Sequence, residues 1–149
     1  MMPTRFVCVM IFRMNPEKKE LEFLVIESIS THPKTGQRSE KNLKFPGGVN
    51  RIPDEPIDMT GKREVLEETY LAFVRYEQVW EKQVSAEHTK YGLLVRFDDC
   101  RGELRATELV DNGDEMSPPR WEPLSALKFS LFSGHQPALL AAMERLGIY

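Results

Sequence analysis

Residues 47–71, GGVNRIPDEPIDMTGKREVLEETYL, run from a glycine pair through a proline-rich loop into a helix. The pattern predicts a helix over 57–71, with Asp58 or Thr60 available to cap its start. Glu64, Glu67 and Glu68 stand at i, i+3 and i+4, which puts three carboxylates on one helical face. Like charges at that spacing destabilise a bare helix by a few tenths of a kcal/mol per pair, so a cation should compensate them. Mg²⁺ or Mn²⁺ suits carboxylate oxygens and leaves positions for water and phosphate. The plainer alternative is a solvated acidic face balanced by Lys62 and Arg63. Val65, Thr69 and Gly61 lie on another face. A glycine inside a helix costs roughly 1 kcal/mol against alanine, which points to close helix–sheet packing at Gly61.

Working outward from this helix, apolar and β-branched runs predict strands over 5–13, 20–29 and 42–46, with a polar loop over 30–41. Beyond it, 73–84 and 89–97 read as a hairpin, 103–110 as a further strand, Asn112-Gly113 as part of a loop, and Arg120-Trp121 as a short strand. Leu139, Leu140, Met143 and Leu146 give a second helix over 136–146, with Gly147 as its stop. The order predicts an α/β (α+β) fold: one domain spanning 1–149, its mixed β-sheet sandwiched between helices.

Composition agrees. At 149 residues, 41% hydrophobic and 29% charged, the chain suits one soluble globular domain. A net charge of −3 argues against bulk electrostatic coating of nucleic acid. Cys8 and Cys100, far apart and without partners at metal-ligand spacing, read as free thiols rather than zinc ligands. No apolar run is long enough for a membrane-spanning helix, and a cytoplasmic location follows by default from the absence of a signal segment.

The same 25 residues resemble the box of the Nudix hydrolase family, G-x5-E-x7-R-E-U-x-E-E-x-G-U with U a bulky apolar residue. Arg63-Glu64-Val65-Leu66-Glu67-Glu68 matches R-E-U-x-E-E without a gap, Glu55 stands eight residues before Arg63, and Phe45-Pro46-Gly47-Gly48 resembles the usual entry. Two positions depart from the pattern. Six residues rather than five separate Gly48 from Glu55, so either the loop carries an insertion or Asp54 takes the acidic position. Tyr70 replaces the glycine that ends the helix, and a bulky aromatic is expected at φ < 0 there, with the chain leaving the helix by another path.

The resemblance implies a pyrophosphohydrolase that cuts a diphosphate linkage in a nucleoside diphosphate joined to another moiety. Glu64, Glu67, Glu68 and the Gly48 carbonyl would hold Mg²⁺ or Mn²⁺, and Arg63 would orient a glutamate, either Glu55 or Glu67. Glu115 is the candidate late glutamate serving as ligand or base, with Asp111 and Asp114 as alternatives. Lys44 and Arg51 flank Gly47-Gly48 and are the candidates for gripping substrate phosphates, ahead of Lys34, Arg38 and Lys41. Trp80, Trp121 and Phe132 are candidates for stacking a base, with a core role the stronger reading for each. The implied partner is a small nucleotide-like molecule. An RNA end is less favoured, and a homodimer is a family-level expectation. The competing reading is a Nudix-fold module that binds a nucleotide without cutting it.

Overall fold

The computed structural model describes residues 3–111 and 113–148. The side chain of Asp111 and the whole of Asn112 lie outside the described part. In chain order the elements are β1 (Thr4–Met14), β2 (Leu21–Ser30), β3 (Asn42–Lys44), β4 (Gly47–Val49), α1 (Ile57–Thr69), β5 (Ala72–Phe73), β6 (Glu77–Ser85) and β7 (His88–Arg96). There follow β8 (Cys100–Arg101), β9 (Leu109–Asp111), β10 (Asp114–Met116), β11 (Arg120–Pro123), α2 (Leu124–Ser130) and α3 (Gln136–Leu146). No helix among the described residues is long and apolar enough to cross a membrane.

The large sheet is mixed, as the sequence pattern predicts. β1 lies at its centre, parallel to β7 from Thr4 to Phe12. Its opposite edge is shared: β4 pairs with Phe6–Cys8 and β2 with Phe12–Met14, both antiparallel. Between them the Val9 N–H donates to the Pro46 carbonyl at 2.8 Å, so the chain leading into the glycine pair is fastened to the middle of the sheet. Because side chains alternate along a strand, β1 feeds two cores. Val7, Val9 and Ile11 pack with Leu24, Leu93, Leu71 and Val65 of α1. Cys8 and Met10 pack on the other face with Phe23, Leu127, Leu139 and Met143 beneath α2 and α3. The close approach expected at Gly61 is present: a Cβ there would stand 3.1 Å from Leu93 Cδ1.

Several expectations need correcting. The run 73–84 is not one strand: β5 leaves the large sheet to pair with β8, and β6 starts only at Glu77. Residues 103–108 form no strand; β9 begins at Leu109 and makes a hairpin with β10, which pairs with the far end of β2. The helix α2, Leu124–Ser130, lies in a stretch to which the sequence pattern assigns no element. At the start of α1, neither Asp58 nor Thr60 caps; Pro56 takes the N-cap position, and the Thr60 hydroxyl donates to Glu55 Oε1 at 2.6 Å instead. At its end, Tyr70 lies at φ 70°, ψ 12°, in the left-handed region, contrary to the expectation of φ < 0. The ring is half exposed, so nothing in the core forbids the conformation, and α1 ends in a left-handed turn without a glycine.

Candidate active site

The site is built where α1 meets the loop held on the edge of β1. Thr60, Gly61, Val65 and Thr69 of α1 face the sheet, and Glu68 is buried with them at 6% exposure. Its carboxylate accepts the Gly47 N–H at 3.1 Å through Oε1. Gly48 lies against the neighbouring acid: a Cβ there would sit 2.4 Å from the carboxyl carbon of Glu64. Gly47 is closed off differently, since a Cβ would stand 2.2 Å from the Val7 carbonyl oxygen. The two glycines are thus required by close approach, one to a strand and one to a carboxylate.

Arg63 organises the loop above. It donates to Glu55 through Nη2 at 2.9 Å and Nε at 3.3 Å, to Glu64 Oε1 through Nη1 at 2.8 Å, and to the Val49 carbonyl at 3.0 Å. The Arg63 guanidinium, with the Thr60 hydroxyl and the Arg51 N–H, holds the Glu55 carboxyl down to about 2 against the opposing effect of burial. Glu55, rather than Asp54, is therefore the loop acid paired with Arg63.

Burial, then the charge of Glu64, pushes the Glu68 carboxyl up to about 8, against the pull of the Gly47 N–H and Lys44. Burial also raises Glu64, opposed by Arg63. Glu64 and Glu68 thus form a close, desolvated acidic pair. Glu67 stands 3.9 Å from Arg63 Nη1 and accepts from Arg51 Nη2 at 2.6 Å. Arg51, expected on substrate phosphate, is occupied by a carboxylate. Among the described residues no three acidic, histidine or cysteine side chains converge on one point. Lys44 lies near enough for its charge to lower Glu68.

Glu115 is placed elsewhere. It sits on β10 opposite Ile29 and pairs with Arg38. Among the described residues no hydrogen bond or ion pair joins it to Glu64, Glu67 or Glu68. By strand alternation Glu115 shares the side of Ile29 and Glu27, whereas Lys44, opposite Ile26, is on the other. With Glu27, Lys41, Glu108 and Ser117 it lines a separate cavity of about 420 Å³. Two of the three basic residues of the loop are also spent in pairs: Lys41 with Glu27 at 3.7 Å and Arg38 with Glu115. Trp121 packs edge-on to Phe97 with its ring under Arg13, and Trp80 lies against the core. Phe132 packs on His135.

Sequence reasoning missed Arg105. It is 2% exposed and donates to the main chain of Glu68, Thr107 and Ser117. The only signal was its setting between Leu104 and Ala106, an arginine with apolar neighbours.

No family model matches the sequence, and no curated protein matches it. Solved structures do. A MutT Nudix hydrolase from Burkholderia pseudomallei matches with a TM-score of 0.67 at 20% identity, over 95% of this chain and 98% of the other. The Nudix domain of Shewanella oneidensis NrtR, solved with ADP ribose, matches at 0.63 and 21%, over 95% and 87%. A Nudix hydrolase from Nitrosomonas europaea matches at 0.68 and 17%, over 99% and 92%. Matched over nearly its whole length, with the glycine pair fastened to the central strand and the acidic helix packed beside it, this chain has the Nudix fold.

Proposed function

We propose that the chain is a divalent-metal-dependent pyrophosphohydrolase acting on a nucleoside diphosphate linked to another moiety, by attack of water on phosphorus. The observation that carries this reading is the desolvated Glu64–Glu68 pair against Gly47-Gly48. Two carboxylates held together out of water disfavour their charged forms unless a cation joins them. The donor set fits a hard cation: Glu64, Glu68 and the Gly48 carbonyl are oxygen donors that would hold Mg²⁺ or Mn²⁺, with Glu67 available on leaving Arg51. Bound there, the metal would neutralise phosphate charge and acidify water.

The chain's own residues do the rest. Arg63 holds Glu64 in place through Oε1 while Glu55 holds Arg63, a carboxylate–arginine–carboxylate relay that fixes the side chain. The Gly47 N–H orients Glu68. Lys44, unpaired among the described residues, is the cation free to meet a substrate phosphate. Glu115 would need to leave Arg38 before acting as a base. In this reading the partner is a small nucleotide-like molecule, in the cytoplasm, with a homodimer as the family-level expectation.

A hydrolysis panel tests the proposal: ADP-ribose, nucleotide sugars, dinucleoside polyphosphates, nucleoside triphosphates and capped RNA, each with Mg²⁺, Mn²⁺ or EDTA. At least one class should be cut only with metal, and Glu68→Gln should lower kcat at least about 100-fold without altering the circular dichroism spectrum. The ion pair between Arg51 and Glu67 favours the second reading, a module that binds without cutting. Saturable nucleotide binding with no turnover across the panel would establish it.

A further inference from the structure

We infer that Arg105 is a positioning residue for Glu68, an inference that rests on the hydrolase reading. Among the described residues Arg105 is the largest fully buried side chain. Among the described residues its guanidinium has no carboxylate partner. A buried charge without a counter-ion is expensive unless its donors are all met. Here carbonyls meet three of its five N–H groups, one on each nitrogen. Nε donates to the Glu68 carbonyl at 2.8 Å, Nη2 to the Ser117 carbonyl at 2.7 Å, and Nη1 to the Thr107 carbonyl.

These acceptors are not scattered. The last carbonyls of a helix lack partners within it and carry the negative end of its dipole. Arg105 takes the Glu68 carbonyl with its side chain and the Thr69 carbonyl with its own N–H, at 2.9 Å. The Thr69 hydroxyl accepts the Leu71 N–H at 3.1 Å. The final turn of α1 is held on every side at the residue whose carboxylate enters the site.

The far end of the guanidinium is equally anchored. Ser117 is locked to β2: its N–H donates to the Glu27 carbonyl at 2.9 Å, and its hydroxyl accepts the Glu27 N–H at 3.0 Å. Glu68 is therefore fixed to the sheet by two routes, its carboxylate through Gly47 and its main chain through Arg105 and Ser117. Stability alone would need only a cap on the helix end. A planar fork spanning three carbonyls sets position as well, and lysine, with a single ammonium, cannot reproduce it.

Arg105→Lys is the test, read at a temperature where circular dichroism shows the variant fully folded. The expected result is a fall in kcat of about 10-fold to 100-fold, the range seen when a group supporting a metal ligand is lost, with substrate KM changed less than about threefold. Mn²⁺ affinity, followed by electron paramagnetic resonance without substrate, should weaken in parallel. A lower melting temperature with wild-type kcat and wild-type Mn²⁺ affinity would overturn the inference, since that is what a purely structural arginine gives. Should Arg105→Lys not fold, the same readouts apply to Arg105→Lys with Tyr70→Gly, which relieves the positive φ beside it. Failure of both to fold makes the role one of stability and overturns the inference. A wild-type protein that binds Mn²⁺ but cuts nothing defeats the hydrolase reading alone, because the Mn²⁺ arm still reads Arg105. A wild-type protein that binds no Mn²⁺ defeats both.

Discussion

Tyr70 shows how one residue can end a helix in a left-handed turn against its own preference. A non-glycine residue in the left-handed region costs roughly 1–2 kcal/mol, and the half-exposed ring returns little by burial. Alanine at this position would keep the strain and lose the ring, whereas glycine would lose both. We expect urea denaturation to rank Tyr70→Gly above Tyr70→Ala by about 1 kcal/mol, the reverse of the order inside a helix. Alanine ranking higher would mean that Tyr70 is not strained. Gly47 and Gly48, adjacent in sequence, should fail in opposite ways. A methyl at Gly47 meets the main chain of β1, so Gly47→Ala should cost at least about 2 kcal/mol of stability. A methyl at Gly48 meets the Glu64 carboxyl first, which can swing aside if it leaves Arg63. Gly48→Ala should therefore keep most of the stability and lose at least about tenfold in metal-dependent kcat. Equal behaviour of the two variants in melting and in turnover would refute this division.

At the scale of elements, what the sequence made legible was local. Glu64, Glu67 and Glu68 could be placed on one face of α1 because helical spacing is a property of five consecutive residues, and β1, β2 and α3 could be read from unbroken apolar periodicity. What escaped depends on partners far along the chain. The run 73–84 alternates throughout, and only pairing with β8 removes its first residues from the large sheet. The side Glu115 takes is set by its register against β2, and Arg105 is buried against the carbonyls of Glu68 and Ser117, both distant along the chain. His135 belongs to the same class: scattered in sequence, it is 5% exposed in the turn before α3, stacked on Phe45 and accepting that residue's N–H at 3.1 Å through Nδ1. Burial, aided by Lys44 and Lys90, pushes its pKa down to about 3. In the unfolded chain the imidazole protonates near 6.5. The unfolded state thus binds the extra proton between those values, so this contribution to stability is complete above about 6.5 and is lost as pH falls toward 3. Each unit of pH in that window should cost the wild type up to about 1.4 kcal/mol more than His135→Asn, whose amide oxygen can take the same N–H without charging. Parallel denaturation curves for the two proteins at pH 6.5 and pH 4.5 would contradict this.

Over the whole molecule, β1 is the common wall of two cores, and only one of them carries the acidic pair. On the α2–α3 side, His135 limits stability at low pH. On the α1 side the sign is opposite. Glu68 ionises near 4.5 in the unfolded chain and near 8 in the folded one, so the folded state holds the additional proton across that window and stability falls as pH rises through it. Metal binding has the reverse demand, since a carboxylate must lose its proton to bind a cation. The two effects meet at the same side chain, and their competition predicts a pattern that neither a simple surface acid nor a metal-free binding module would give. Without divalent metal, the melting temperature should decline from about pH 5.5 to pH 8.5, and Glu68→Gln should melt above the wild type at the alkaline end. With about 10 mM Mg²⁺, a saturating level for a weak site, the wild type should gain more at pH 8.5 than at pH 5.5, because at the lower pH the ion must first displace the proton. The variant should show little gain at either pH. Thermal scans at the two pH values, with Mg²⁺ and with EDTA, separate these outcomes. An Mg²⁺ shift of equal size at both would mean that the ion does not bind through Glu68, and a variant less stable than the wild type at pH 8.5 without metal would mean that the buried pair carries no electrostatic strain for a cation to relieve.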